Sequence, residues 1–271
     1  MTVLQPPAVP VFIADPTADA VAVMNSSVRD PLTFLIDPPT ARLTRANALN
    51  LTENVHQYVP WDTAVEDSAS GWTSPSVVGG GGSTTLNGAT TVGATSATLT
   101  SATGFAIGDV ARFETSGANV EYRVLTGVAG NVISWSSSAA LALAHANGST
   151  VTEVTSDPSR YVCQAPGWYD FSFRVSLSGT GAANMAFAGS IAVNFGSHTG
   201  ISGGAGWEGT YHGPPTGAST QFKTGIGANE VYLNAGDFVQ VDLFYTTESA
   251  MTAVDTTAGW VCALDLIWNG V

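Results

Sequence analysis

The sequence predicts an all-β protein, and three observations point that way. Charged residues make up only 11% of the chain, against roughly 25% in an average soluble protein. Lys and Glu, the residues that usually line the solvent side of helices, are scarce, with Lys223 the single lysine among eight basic residues. In the carboxy-terminal half the apolar residues recur with a period of two, the spacing of strands that turn one face to a core. At 271 residues the chain can form one large domain or two small ones with a substantial core.

The one helical expectation lies at the start. Asp15 can cap a helix that opens on Pro16, a first-turn position that tolerates proline. Val21, Met24, Val28, Leu32 and Leu35 then recur at steps of three and four, interrupted at Pro31 and stopped at Pro38-Pro39. Residues 1–39 therefore read as an extension with a short helical anchor. Its apolar stripe either packs on its own domain or meets other copies at an oligomer axis.

Residues 40–76 carry short alternating runs around Leu43 and Leu49 and again at Val55, Tyr58 and Trp61, expected as two strands. Asp62, Glu66 and Asp67 follow in what reads as an acidic loop; their spacing is not that of a calcium-binding loop. VVGGGGSTT then marks an expected flexible joint, and residues 77–155 read as an inserted small β module. Short strands there are separated by Gly-Asp, Ser-Gly and Ala-Gly-Asn turns, and Val120, Tyr122 and Val124 alternate against Glu121 and Arg123. Gly104, Gly108 and Asp109 mark turns; with no helix or Lys after them they do not form a phosphate cradle.

After a second joint, TSDPSR, the strongest strands begin. Tyr169, Phe171, Phe173, Val175 and Leu177 share one face of a strand that follows Pro166-Gly167. Val239, Val241, Leu243 and Tyr245 share one face of another. Trp260, Cys262, Leu264, Leu266 and Trp268 share one face of the last, with Val261, Ala263, Asp265 and Ile267 opposite. A strand apolar on both sides calls for a second partner beyond its own core. Val21, Met24, Val28, Leu35, Trp168, Trp260 and Trp268 are accordingly the candidate oligomer interface.

The formal net charge of −13 and the absence of any basic cluster argue against nucleic-acid binding. The amino terminus reads as neither signal peptide nor membrane anchor, and no stretch reaches the ~20 apolar residues needed to cross a bilayer. Cys163 and Cys262 lack metal-site or framework spacing, and whether they pair is left open; Cys163 reads as a small buried hydrophobe. The four histidines, His56, His145, His198 and His212, come without a Gly-x-Ser-x-Gly or Cys-His signature. No enzyme activity, metal or cofactor is expected. The binding candidate is the Gly/Pro-rich loop 201–217, where Trp207, Tyr211 and His212 can stack on a sugar ring or pack on the loop's own base.

The order Arg160-Tyr161-Val162-Cys163, then Ala165-Pro166-Gly167-Trp168-Tyr169-Asp170-Phe171, later Leu233-Asn234-Ala235-Gly236-Asp237-Phe238-Val239 and a terminal apolar strand, resembles the C1q/TNF-like jelly roll. Phe34-Leu35-Ile36-Asp37-Pro38-Pro39, followed by Val59-Pro60-Trp61-Asp62-Thr63, resembles the C1q-like virion proteins of tailed bacteriophages, the minor tail proteins. The jelly roll would comprise residues 40–76 plus 156–271. The module between them is similar, at Ala102-Thr103-Gly104-Phe105-Ala106-Ile107-Gly108-Asp109, to small β modules of phage tails and baseplates. The resemblance implies a homotrimer, ten-odd strands in two sheets and a structural or adhesive role. Such a protein would be made in the host cytoplasm and reside on the virion, docked to other virion proteins through its N-terminal segment, with host-surface glycan as a further partner. Head decoration is the alternative within that class, and a glycan-processing enzyme the remoter one.

Overall fold

The structure, a computed structural model, describes residues 38–114, 117–179, 186–194, 206–207, 221–246, 251–253 and 262–270. The expected helix and its stripe, Val21, Met24, Val28 and Leu35, lie outside these residues, as do Trp260, Tyr211 and His212.

The described chain is almost entirely antiparallel β, with no α-helix among the described residues. Strands are numbered β1–β18 in chain order. The first sheet holds β1 (Thr40–Arg45), β2 (Leu49–Leu51), β4 (Thr63–Asp67), β12 (Gly167–Gly179), β15 (Gln221–Leu233), β17 (Met251–Ala253) and β18 (Cys262–Gly270). Long β12 is its spine: β15 pairs along its whole length on one side, and β18 then β17 share the other. The second sheet holds β3 (Gln57–Tyr58), β11 (Tyr161–Val162), β13 (Ala186–Val193), β14 (Gly206–Trp207) and β16 (Phe238–Thr246).

These two sheets share one core. Tyr169, Phe171, Phe173 and Val175 from β12 and Leu264 and Leu266 from β18 meet Val239, Val241, Leu243 and Tyr245 from β16, each at most 3% exposed. Alternation thus places each of the three long strands with the expected face inward. Burial at roughly 25 cal/mol per Å² of apolar surface makes this cluster the main stabilising element. The opposite face of β18 is only partly covered: Ala263 is buried, Asp265 pairs with Arg42 at 3.4 Å, and Ile267 is 49% exposed.

Two of the corners that carry the chain between the sheets adjoin. Cys163–Pro166 leads from β11 to β12, and Asn234–Asp237 leads from β15 to β16. They are bonded to each other: the Cys163 N–H donates to the Asp237 carbonyl at 2.7 Å, and the Gly236 N–H donates to the Cys163 carbonyl at 2.8 Å. The Asp237 carboxylate accepts from the Asn234 N–H at 2.7 Å and from the Asn194 amide at 2.7 Å. Those two hydrogen bonds, the Asn234 one first, hold its carboxyl below the usual range.

Residues 40–67 form four strands where two were expected. Between β1 and β2 the cause is a charged break in the strand. The Arg45 guanidinium, 3% exposed, donates to the carbonyls of Pro60 at 2.6 Å and Ala48 at 2.9 Å. The Asp62 carboxylate accepts from the N–H groups of Ala46 and Asn47, both at 2.9 Å. The strand breaks there without reversing: β1 pairs with β18 and β2 with β17, both running in the same direction, and Leu43 and Leu49 fall in separate strands. The segment after Asp62, expected as an acidic loop, is β4, with each acid engaged locally: Glu66 accepts from the Thr40 hydroxyl at 2.6 Å, and Asp67 accepts from the N–H groups of Gly71 and Trp72 at 3.0 and 2.8 Å.

The third sheet lies wholly within residues 83–154: β5 (Ser83–Thr85), β6 (Ser96–Thr98), β7 (Val110–Phe113), β8 (Glu121–Ala129), β9 (Val132–Trp135) and β10 (Thr150–Val154). It has its own apolar cluster, in which Leu86, Leu99, Phe113, Leu125, Ile133 and Trp135 are buried. The segment before it, expected as a flexible joint, is a hydrogen-bonded neck. Val77 bridges to Val154, the Thr155 N–H donates to the Ser76 carbonyl at 2.9 Å, and the Gly82 N–H donates to the Glu153 carboxylate at 2.9 Å. The Phe105 ring occupies the place a side chain at position 82 would take. Glycine there serves close approach, not slack.

Cys163 and Cys262, 1% and 0% exposed in the sandwich core, are not joined in a disulfide. Burial first, and Asp237 second, push the Cys163 thiol up to about 12. The thiolate is the reactive form, so the native protein at pH 8 is expected to resist iodoacetamide and to take up two labels per chain in denaturant. Rapid native labelling of Cys163, read by mass spectrometry, would contradict this burial.

Candidate functional site

Among the described residues, a cleft of about 200 Å³ lies between the sandwich and the inserted sheet. β3 and the segment Asp157–Arg160 supply one wall; β8 and the 3-10 turn Ser137–Ala139 supply the other. The second sheet buries one face of β16 in the core, and the polar residues of its other face, Gln240 and Asp242, sit toward this junction at 1% and 2% exposure. Two backbone-anchored contacts beside the cleft fix the walls: the Asn50 N–H donates to the Ala118 carbonyl at 2.9 Å, and the Thr52 hydroxyl donates to the Ala142 carbonyl at 2.5 Å.

On the sandwich wall, His56 is held by Asp242, with Nδ1 at 2.6 Å from the carboxylate. Its ring stacks on Phe244 with centroids 4.7 Å apart. A carboxylate only accepts, so Nδ1 carries the proton of this bond. Nearby, the Arg160 guanidinium pairs with Asp157 at 3.2 Å and lies 4.3 Å from the Phe238 ring centroid. Burial, then Asp242, raises the Tyr58 phenol well above its usual value, and burial also raises Tyr122 on the facing wall. Both stay neutral hydroxyls, able to donate and accept.

Behind the module wall is a buried polar cluster. Strand β8 alternates as expected but with unusual polarity: Glu121 and Arg123 point inward at 4% and 9% exposure, while Tyr122 and Val124 are half-buried and line the cleft. The inversion works because every inward charge has partners. Glu121 accepts from Arg123 at 2.5 Å, from the N–H groups of Ala142 and Leu143 at 2.9 and 3.0 Å, and faces His145 Nε2 at 3.0 Å. Arg123 also donates to the carbonyls of Tyr122 and Ala140 at 2.6 and 2.8 Å. The His145 side chain is fully buried, with Glu114 at 3.3 Å from Nδ1 and the Phe113 ring stacked on it. Burial pushes the Glu121 carboxyl up, but Arg123, the His145 hydrogen bond and the Ala142 N–H together outweigh it and hold it below the usual carboxylate range.

The residues singled out from sequence are elsewhere. Trp168 is 38% exposed on the outer face of the first sheet, where its ring meets that of Tyr232, 45% exposed, edge to face at 5.6 Å. Trp268, expected at an oligomer interface, is committed to its own core at 6% exposure, and its Nε1 donates to the Pro166 carbonyl at 3.0 Å. The reason is register: Trp268 is on the inward side of β18 with Leu264 and Leu266. Trp207 stands in the two-residue strand β14, paired through its backbone with Gly189 of β13.

None of the cleft residues stood out in the sequence as a site. His56 and Asp242 are 186 positions apart and meet because β3 and β16 pair, with Tyr58 opposite Asp242. The one local signal was the polar pair Gln240 and Asp242 inside an otherwise apolar strand. Among the described residues no group of three or more His, Cys, Asp or Glu side chains could hold a metal ion. Set against models of known protein families and against curated proteins, the chain matches none.

Proposed function

We propose that this chain is a structural virion protein of a tailed bacteriophage: a trimeric minor tail or tail-tip protein, built on a C1q/TNF-like jelly roll that displays the 77–155 module and contacts the host surface without turnover. The observation that carries the reading is the pair of corners. The two stretches that resemble the C1q/TNF pattern, at 163–171 and 233–239, each contain a corner where the chain passes from one sheet to the other, and the two corners are hydrogen-bonded together through Cys163, Gly236 and Asp237. Local resemblance at two distant points would not by itself require them to adjoin.

The outer face of the first sheet supports assembly. Trp168, Tyr232 and Ile267 are 38%, 45% and 49% exposed there, and large exposed apolar side chains gathered on one sheet face suit burial against another copy. Alternating Asp170, Arg174 and Glu230 on that face give it charges of both signs.

Labelled antibody imaging of intact particles, with the number of chains counted, tests the assignment. A few trimers at the tail are expected. Hundreds of chains over the shell would make it a head decoration protein instead, and absence from purified particles would overturn the virion reading.

A further inference from the structure

We infer that the cleft between the sandwich and the inserted module binds one neutral, polyhydroxylated ring: a single saccharide unit, free or at the end of a glycan. This extends the adhesive reading above to a definite site, distinct from loop 201–217.

Size sets the first limit. Sites for drug-sized ligands run to roughly 300–1,000 Å³, so about 200 Å³ takes one ring and not an extended oligosaccharide. Charge sets the second. The ionic groups at the walls are already paired within the protein, Arg160 with Asp157 and Arg123 with Glu121. A charged ligand would have to break a pair to gain a counter-ion, and leaving one partner of a buried pair alone is costly. A neutral ligand meets no such barrier.

Hydrogen-bonding chemistry sets the third. Tyr58 and Tyr122 are phenols that burial keeps neutral, placed on opposite walls. His56 is oriented by Asp242 and by its stacking on Phe244. Gln57 and Gln240, 4% and 1% exposed, line the same space. Groups that both donate and accept, interleaved with aromatic rings, suit a ligand that is hydroxyl at its edges and C–H on its faces. A side chain fixed by a second residue behind it, as His56 is by Asp242 and Phe244, marks a preorganised contact and not an incidental one.

The test is saturation-transfer NMR on the isolated full chain with D-glucose, D-galactose, N-acetyl-D-glucosamine and L-rhamnose, each also as its methyl glycoside, and with sulfate and acetate as charged probes. Transfer to at least one sugar is expected, with no binding of the two anions. Equal binding of the methyl glycoside identifies a chain end; loss on methylation identifies the free sugar. His56→Asn keeps an N–H for Asp242 and removes the ring from the cleft wall, and it is expected to weaken binding about tenfold or more, equivalent to one well-made hydrogen bond. Tyr122→Phe, which keeps the ring and deletes the hydroxyl, provides a second reading if the first variant folds poorly. Trp168→Ala, on the outer sheet face, is expected to leave sugar binding unchanged. Absence of transfer from all the sugars, binding of the anions alone, or sugar binding untouched by both cleft variants would overturn the inference. None of these outcomes depends on where the protein sits on a particle, so the site and the virion assignment fail separately.

Discussion

Replacing Glu121 with Ala is expected to destabilise the protein by about 3–5 kcal/mol, the range for breaking a buried charge pair from one side. Arg123 would remain inside at 9% exposure without its carboxylate, and the N–H groups of Ala142 and Leu143 would lose their acceptor together with His145 Nε2. The double change Glu121→Leu with Arg123→Met removes both charges and fills the space, and it is expected to recover a large part of the loss, because apolar side chains of similar volume often replace a buried pair at little cost. Urea unfolding of the parent and the two variants measures this. A single variant within 1 kcal/mol of the parent, on the scale of an exposed pair, would mean that the cluster is not sealed from water.

The same carboxylate predicts the acid limit. Glu121 has a folded pKa below its unfolded one, so its contribution is complete above the unfolded value of about 4.3 and is lost as pH falls through the depressed folded value. Asp237 is depressed as well. Stability is therefore expected to fall below about pH 4 and to be less sensitive to acid in the double variant than in the parent. A pH profile of the urea midpoint, flat from 6 to 3 in the parent, would contradict the direction of these shifts.

Gly167→Ala is the second large effect, expected at roughly 2–5 kcal/mol. Gly167 opens β12 with φ at +147°, a region that favours glycine. An added methyl group would collide with the Trp268 indole nitrogen and with the carbonyl of Gly270. Trp268 is held by its bond to the Pro166 carbonyl, and Gly270 is backbone, so neither gives way cheaply. Strain of about 1–3 kcal/mol at the backbone adds to overpacking of a similar size. Thermal unfolding with near-ultraviolet circular dichroism at the tryptophan bands reads both. A change below 0.5 kcal/mol with an unchanged spectrum would show that the corner relaxes freely.

Period-two alternation was enough to find the long strands and their inward faces, because Tyr169 to Val175 and Val239 to Tyr245 form patterns that depend only on neighbours in the chain. It did not find the break after Arg45, where a buried guanidinium and the Asp62 carboxylate interrupt a segment that reads as continuous strand. Nor did it find the inward direction of Glu121 and Arg123. Polar residues in an alternating strand ordinarily face water, and what turns them inward here is a set of partners supplied by Ala142, Leu143 and His145, some twenty positions away. The cleft is the least legible feature of all. It depends on β3 pairing with β16 and on the inserted sheet closing over them, and both are long-range events with no local signature. The glycines of the neck were misleading for a related reason: a run of four reads as slack unless the Phe105 ring that packs on Gly82 is known to be there.

Mass in solution reaches the claim of assembly most directly. Light scattering of the intact chain at micromolar concentration is expected to give three times the 27.7 kDa of one chain, with Trp168→Asp shifting the mass downward. A mass of one chain at that concentration would contradict the trimer and, with it, the proposal that the outer face of the first sheet is an assembly surface.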